Sequence, residues 1–157
     1  MVGIGYDIHR ITDGEYIVLG GINIPCNFKI IAHSDGDVLI HAIIDALLGA
    51  ASLGDIGDHF PDTDMKYKNI SSSYLLSETK KLLDEKNLKI VNIDSTIILE
   101  APKLKNYKTE IKQNIASILE LDPEQISVKA TTNEKLGHIG NSESIASIAV
   151  CQIEKIN

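Results

Sequence analysis

Residues 37–52, DVLIHAIIDALLGAAS, constrain this chain more than any other stretch. Val38, Leu39, Ile40, Ala42, Ile43, Ile44, Leu47 and Leu48 leave little polar surface, so the segment reads as a helix buried on most sides. Only Asp37, His41 and Asp45 interrupt it. Their i, i+4, i+8 spacing puts them on one stripe. A fold that buries such a helix must pack it against a sheet, and the stripe lies where chemistry is possible.

The flanking sequence supplies that sheet. Residues 2–9 alternate loosely and end in Asp7-Ile8-His9, which reads as a strand; residues 16–19 and 22–25 are two more around the Gly20-Gly21 turn. Residues 26–36 read as a loop, and so do 53–70, which are rich in Gly and Asp and show no hydrophobic period. An amphipathic helix is expected over 71–86, with Ser residues available as caps. A strand follows over 89–100, with Val91, Ile93, Ile97 and Leu99 on one side, then a helix over 103–120. Asp122-Pro123 opens a short capped turn, 126–133 and 143–155 are strands, and 134–141 is a Gly-bearing turn between them. The expected class is α+β, a two-layer sandwich with a mixed sheet and helices on one face, built as one domain over 1–157. Ile145, Ala149, Cys151 and Ile153 are too apolar for a solvated last strand, so cover of the other sheet face by further subunits is expected.

Composition narrows the function classes. Hydrophobic residues make up 43% of the 157, enough for a core, and with aromatics at 4% that core is aliphatic. Net charge is −7 with no long basic run, which disfavours nucleic-acid binding. Cys26 and Cys151 are too few for a disulfide scaffold and read as reduced thiols. No apolar stretch is long enough for a membrane span, and the start MVGIGYDIHR has no signal-peptide pattern. A bacterial cytoplasmic protein, or one already processed, is expected.

Asp7 and His9, two apart on a strand, point to one face. With His41 they make three ligands suited to zinc, with a fourth tetrahedral position open. An Asp one turn from His41, Asp37 or Asp45, is placed to hold its second ring nitrogen. The plainer alternative is a hydrogen-bonded histidine on a helix. His33-Ser34-Asp35-Gly36-Asp37 leads into the helix; His33, Ser34 and the helix amides suit a phosphate, while Ser34 or Asp35 suits a cap. Gly54-Asp55-Ile56-Gly57 offers free amides and a carboxylate for a polyol, or simply a turn. Residues 129–137, KATTNEKLG, offer two hydroxyls, a carboxylate and lysines that suit a diphosphate and its magnesium, or a polar strand end.

Five segments together resemble the 2-C-methyl-D-erythritol 2,4-cyclodiphosphate synthase family: Gly5–His9, residues 32–51 (AHSDGDVLIHAIIDALLGAA), residues 53–64 (LGDIGDHFPDTD), Ala101-Pro102-Lys103, and residues 128–137 (VKATTNEKLG). The resemblance covers nearly the whole chain. It implies a homotrimer with active sites between neighbouring subunits, each holding one zinc and one magnesium or manganese. It puts zinc on Asp7, His9 and His41, and the second ion on Glu134. It puts phosphate and erythritol contacts on His33, Ser34, Asp55, Ile56 and Gly57, and a closing loop on Phe60, Pro61, Asp62, Thr63 and Asp64. Cytidine falls to the span Leu99 to Lys105, with Lys103 and Leu104, and Ala130, Thr131 and Thr132 lie near the phosphates. His33 and Thr132 resemble the transition-state stabilisers. Near the trimer axis, where relatives often carry an aromatic and an arginine, this chain has His138 and Asn141, which puts isoprenoid-diphosphate binding there in doubt. The implied reaction closes a cyclic diphosphate and releases CMP. The rival readings are a zinc phosphohydrolase and a non-catalytic trimer that binds isoprenoid diphosphates.

Overall fold

Strand β1 (Val2–Asp13) and helix α1 (Val38–Ala50) meet backbone to backbone. A Cβ on Gly5 would lie 1.9 Å from the Ala42 carbonyl oxygen, and one on Gly3 2.0 Å from that of Ala46. Only glycine fits at either position. The facing line on the helix is equally small, with Ala42, Ala46 and Ala50 spaced at one turn. The helix therefore lies directly on the strand, and His41, the neighbour of Ala42, comes within reach of Asp7, two residues beyond Gly5.

The computed structural model describes residues 1–156. After β1 come β2 (Tyr16–Leu19), β3 (Ile22–Pro25), β4 (Phe28–Ile30), α1, α2 (Ile56–His59), α3 (Ser72–Glu85), β5 (Leu88–Ile98), α4 (Lys108–Leu119), β6 (Ile126–Thr131), α5 (Gly137–Gly140) and β7 (Ser144–Lys155). Five strands form a mixed sheet in the order β4-β1-β7-β5-β6, and β2-β3 form a separate hairpin. Among the described residues only β5 and β6 run parallel, joined through α4. The aliphatic core lies between this sheet and the helices, and α1 contributes Val38, Leu39, Ile40, Ile43, Ile44, Leu47 and Leu48, all fully buried.

Several expectations are corrected. The 26–36 loop contains β4, which pairs with Ile11–Asp13 at the sheet edge. The 53–70 loop contains α2, started by a capping box between Asp55 and Asp58. The helix expected over 103–120 begins only at Lys108, although Leu104 is buried and Tyr107 packs on the core as expected. A bulge between Ile90 and Asn92 shifts the alternation of β5, so Leu88 and Ile90 point inward with Ile93 and Ile97, and Val91 falls out of step.

The largest correction concerns the last strand. Ile145, Ala149, Cys151 and Ile153 point into the core, not away from it. The uncovered face carries Val2, Ile4, Tyr6 and Ile8 of β1 beside Ile148 and Val150 of β7, with Ile4 opposite Val150 and Tyr6 opposite Ile148. Ile4 is 71% exposed. Because β7 is apolar at both parities, alternation alone does not say which set faces the helices.

Candidate metal centre and substrate pockets

The close seating of α1 on β1 assembles three donors. Asp7 and His9 share a face of β1, and His41 comes from the second turn of α1. The Asp7 Oδ2 atom lies 3.0 Å from His9 Nε2 and 3.1 Å from His41 Nδ1. One ligand atom from each residue falls within 4.8 Å of the others. Burial alone would raise the Asp7 pKa, but the hydrogen bond from His41 and the close imidazole of His9, with the charge of both rings, outweigh it and hold the carboxyl at about 2. Burial likewise opposes protonation of His41, yet the hydrogen bond and charge of Asp7 raise its pKa. The His9 Nε2 atom is buried and makes no hydrogen bond, despite its closeness to Asp7. A buried nitrogen left without a hydrogen-bond partner, beside a carboxylate and a second imidazole, is the donor set a divalent metal takes. The triad fits a divalent metal.

Neither acidic neighbour on the α1 stripe holds the second nitrogen of His41. Asp37 is the N-cap: it accepts from the Ile40 amide and from the amides of Gly20 and Gly21 in the β2-β3 turn. Complete burial pushes its pKa up to about 6 against those three bonds. Asp45 accepts from the Ile56 amide at 2.8 Å and so ties α2 to α1. His41 Nε2 instead meets Ser72 Oγ at 2.8 Å, and the Ser72 hydroxyl donates to Asp35. Ser72 and the anchoring role of Asp35 were not expected. The Ser71-Ser72-Ser73 run reads only as caps, and Ser71 is indeed the cap.

A cavity of about 450 Å³ opens over the triad. Asp7, His9, His33, Ser34, His41, Ile56, Gly57, Phe60 and Asp62 line it, with Tyr67 and Leu75, which were not expected. Asp55 and Asp64 lie outside this wall and act as caps: Asp55 begins α2, and Asp64 the short 3₁₀ turn at Met65–Tyr67. Pro61 and Thr63 are likewise outside the wall. A second cavity of about 390 Å³ lies at the β5-β6 end and is lined by Leu99, Lys103, Leu104, Lys105, Ala130, Thr131 and Thr132, together with Glu100, Pro102 and Lys108. Glu134 is exposed, and its carboxylate accepts from the Thr132 hydroxyl at 3.4 Å. The loop is held from beneath by Glu100, which accepts from the amides of Asn133 and Lys135. His138 belongs to neither cavity; it lines a third hollow with Ile8 and Arg10, and its ring pairs with Glu143 at 2.7 Å. No helix among the described residues is long and apolar enough to cross a membrane.

A layered α+β chain with two histidines and an aspartate gathered under a cavity has the make-up of an enzyme site able to take a divalent metal. The model of the YgbB family matches residues 1–154, and the chain belongs to that family. It is 53% identical over 155 residues to the 2-C-methyl-D-erythritol 2,4-cyclodiphosphate synthase of Chloroherpeton thalassium, covering 99% of each chain. It is 56% identical over 150 residues to the synthase of that name from Clostridium kluyveri, covering 96% of this chain and 92% of the relative. Among solved structures, it matches a CDP complex of IspF from Plasmodium falciparum at TM-score 0.87 and 38% identity, covering 99% of this chain and 96% of the other. It also matches the bifunctional IspDF of Campylobacter jejuni at TM-score 0.95 and 43% identity, covering 99% of this chain and 42% of that one.

Proposed function

We infer that the chain carries out its family's reaction: it converts 4-diphosphocytidyl-2-C-methyl-D-erythritol 2-phosphate to 2-C-methyl-D-erythritol 2,4-cyclodiphosphate and CMP. It is a lyase of isoprenoid-precursor biosynthesis. Identity above 50% across almost the full length of synthases of that name supports the activity. The single structural observation that carries the reading is the partly buried Asp7-His9-His41 cluster with its buried, unbonded His9 nitrogen.

In the reaction, an oxygen of the 2-phosphate forms a bond to the β-phosphorus. The bond from that phosphorus to the bridging oxygen breaks, and CMP leaves with the electron pair. The nucleophile is already an anion near neutral pH, so the site needs in-line positioning and charge neutralisation rather than a strong base. Asp7, His9 and His41 would hold one zinc, and Glu134 would help hold a magnesium or manganese. When bound, the two ions offset phosphate charge and polarise the attacked phosphorus.

The chain's own groups do the rest. Ser34 and the amides of Ile56 and Gly57 bind phosphate and the erythritol unit, and Asp55 accepts from a polyol hydroxyl. Phe60, Pro61, Asp62, Thr63 and Asp64 close over the substrate and exclude water. Leu99, Lys103, Leu104 and Lys105 hold cytidine, while Ala130 and Thr131 steer the diphosphate. His33 and Thr132 donate to charge that develops in the transition state. His138, in its separate hollow with Ile8 and Arg10, contacts the substrate from the side of the trimer axis.

The working form is a homotrimer in the cytoplasm, each chain a single domain over 1–157, with active sites between neighbouring subunits. Two features support the assembly. The apolar face of Val2, Ile4, Tyr6, Ile8, Ile148 and Val150 lacks cover within one chain. The metal half and the cytidine half of the site are separate cavities on that chain. Phosphorus NMR of the protein incubated with the cytidyl substrate and magnesium tests the activity. A cyclic diphosphate with stoichiometric CMP is expected; a linear phosphate product would assign a hydrolase instead.

A further inference from the structure

We propose that Ser72, backed by Asp35, is a positioning residue that fixes which ring nitrogen of His41 faces the metal. This rests on the metal reading of the triad and goes beyond it to a residue outside the ligand set.

A carboxylate accepts hydrogen bonds and cannot donate them, whereas a serine hydroxyl has one proton to give. Asp35 Oδ1 takes that proton from Ser72 Oγ and also accepts from the Asp37 amide at 3.2 Å. Its Oδ2 accepts from the Ser72 amide at 2.8 Å. With its proton committed to Asp35, Ser72 Oγ can only accept from His41. The ring nitrogen 2.8 Å away, Nε2, therefore carries the hydrogen. Nδ1, the nitrogen facing Asp7, is left to present its lone pair to the metal.

Local structure does not account for the Ser72 side chain. Helix α3 already has its cap in Ser71, whose Oγ accepts from the Tyr74 amide. Ser72 is fully buried at the first position of that helix, and its hydroxyl serves only the Asp35-His41 bridge. The bridge joins three elements at one point: the loop before α1, α1 itself and the start of α3. The ring is thus held by a hydrogen bond on the side opposite the metal, and its orientation does not depend on the metal being present.

The test measures zinc affinity of the purified, metal-stripped protein by competition with a chelator. Ser72→Ala is expected to weaken zinc binding about 10–100-fold. Ser72→Thr, which keeps the hydroxyl, is expected to stay close to the parent. Asp35→Asn keeps the shape but lets an amide donate to Ser72 Oγ, which turns the serine proton toward His41 and disfavours the required tautomer; it also weakens binding. Circular dichroism establishes that each variant is folded. A second readout is nitrogen-15 NMR of the zinc-loaded, histidine-labelled protein. The His41 Nε2 proton is expected to be protected from exchange in the parent and in Ser72→Thr, and lost to exchange in Ser72→Ala. A folded Ser72→Ala protein with parental affinity and a still-protected proton overturns the proposal. A parent that binds no zinc overturns the metal reading beneath it, an outcome the variants cannot mimic.

Discussion

The two cavities of this chain are built in opposite ways. The triad cavity takes its three donors from the middle of β1 and the start of α1, and each is partly buried and within 3.1 Å of a neighbouring donor. The β5-β6 cavity is edged by side chains on a strand end and loops, and Lys103, Lys105, Thr131 and Thr132 are all exposed. Rigidity is concentrated in the first cavity. Metal geometry tolerates little error, so it is carried by packed elements whose spacing is set by Gly3, Gly5 and the alanines of α1. Groups that grip a nucleotide can come from a surface that is completed only when something else docks there.

If this contrast is right, damage to the first cavity should abolish both metal and turnover, while damage to the second should spare the metal. The largest effect is expected of His41→Ala: zinc is lost and turnover falls by about 1,000-fold or more, the scale of several kcal/mol of metal charge stabilisation. Metal analysis of the folded variant checks it, and full occupancy at an unchanged rate would break the comparison at its root. Gly5→Ala attacks the same cavity from below. Its new methyl collides with the Ala42 carbonyl, so α1 must lift. A loss of about 1–3 kcal/mol in urea unfolding is expected, with weakened zinc binding alongside it.

In the second cavity, Thr132→Ala removes the hydroxyl proposed to donate to developing charge. Its expected cost is about 100-fold in kcat at parental zinc content, measured by steady-state CMP release. Lys103→Ala is the mildest change: about a tenfold rise in KM with kcat nearly intact, as for a lost binding contact of a charged group. A large fall in zinc content in either of these variants would merge the two regions that the structure keeps apart.

The same contrast governs what can be read from the sequence. Helix α1 and the Asp7-His9-His41 set were legible because two local periods, two on a strand and four on a helix, put these residues on facing surfaces. The capping box at Asp55 and Asp58 was a local signal too, and it could have revealed α2 within the supposed loop. Other features have no local signature. Strand β4 is three residues long and exists only because Ile11–Asp13 pair with it. The β5 bulge reverses a parity that alternation takes for granted. Ser72 reaches His41 across 31 positions, and the seryl run around it has an obvious other use as a cap. The apolar face was foreseen but assigned to the wrong side of β7, because Ile145 and Ile148 are equally apolar and only the packed helices choose between them.

The account depends on three side chains sharing one divalent ion, and X-ray absorption at the zinc edge of the loaded protein tests that most directly. Two imidazole nitrogens and a carboxylate oxygen at about 2.0–2.2 Å are predicted, and the same signal is predicted to be missing from His41→Ala treated identically. A first shell containing sulfur, or one unchanged by that substitution, would contradict it.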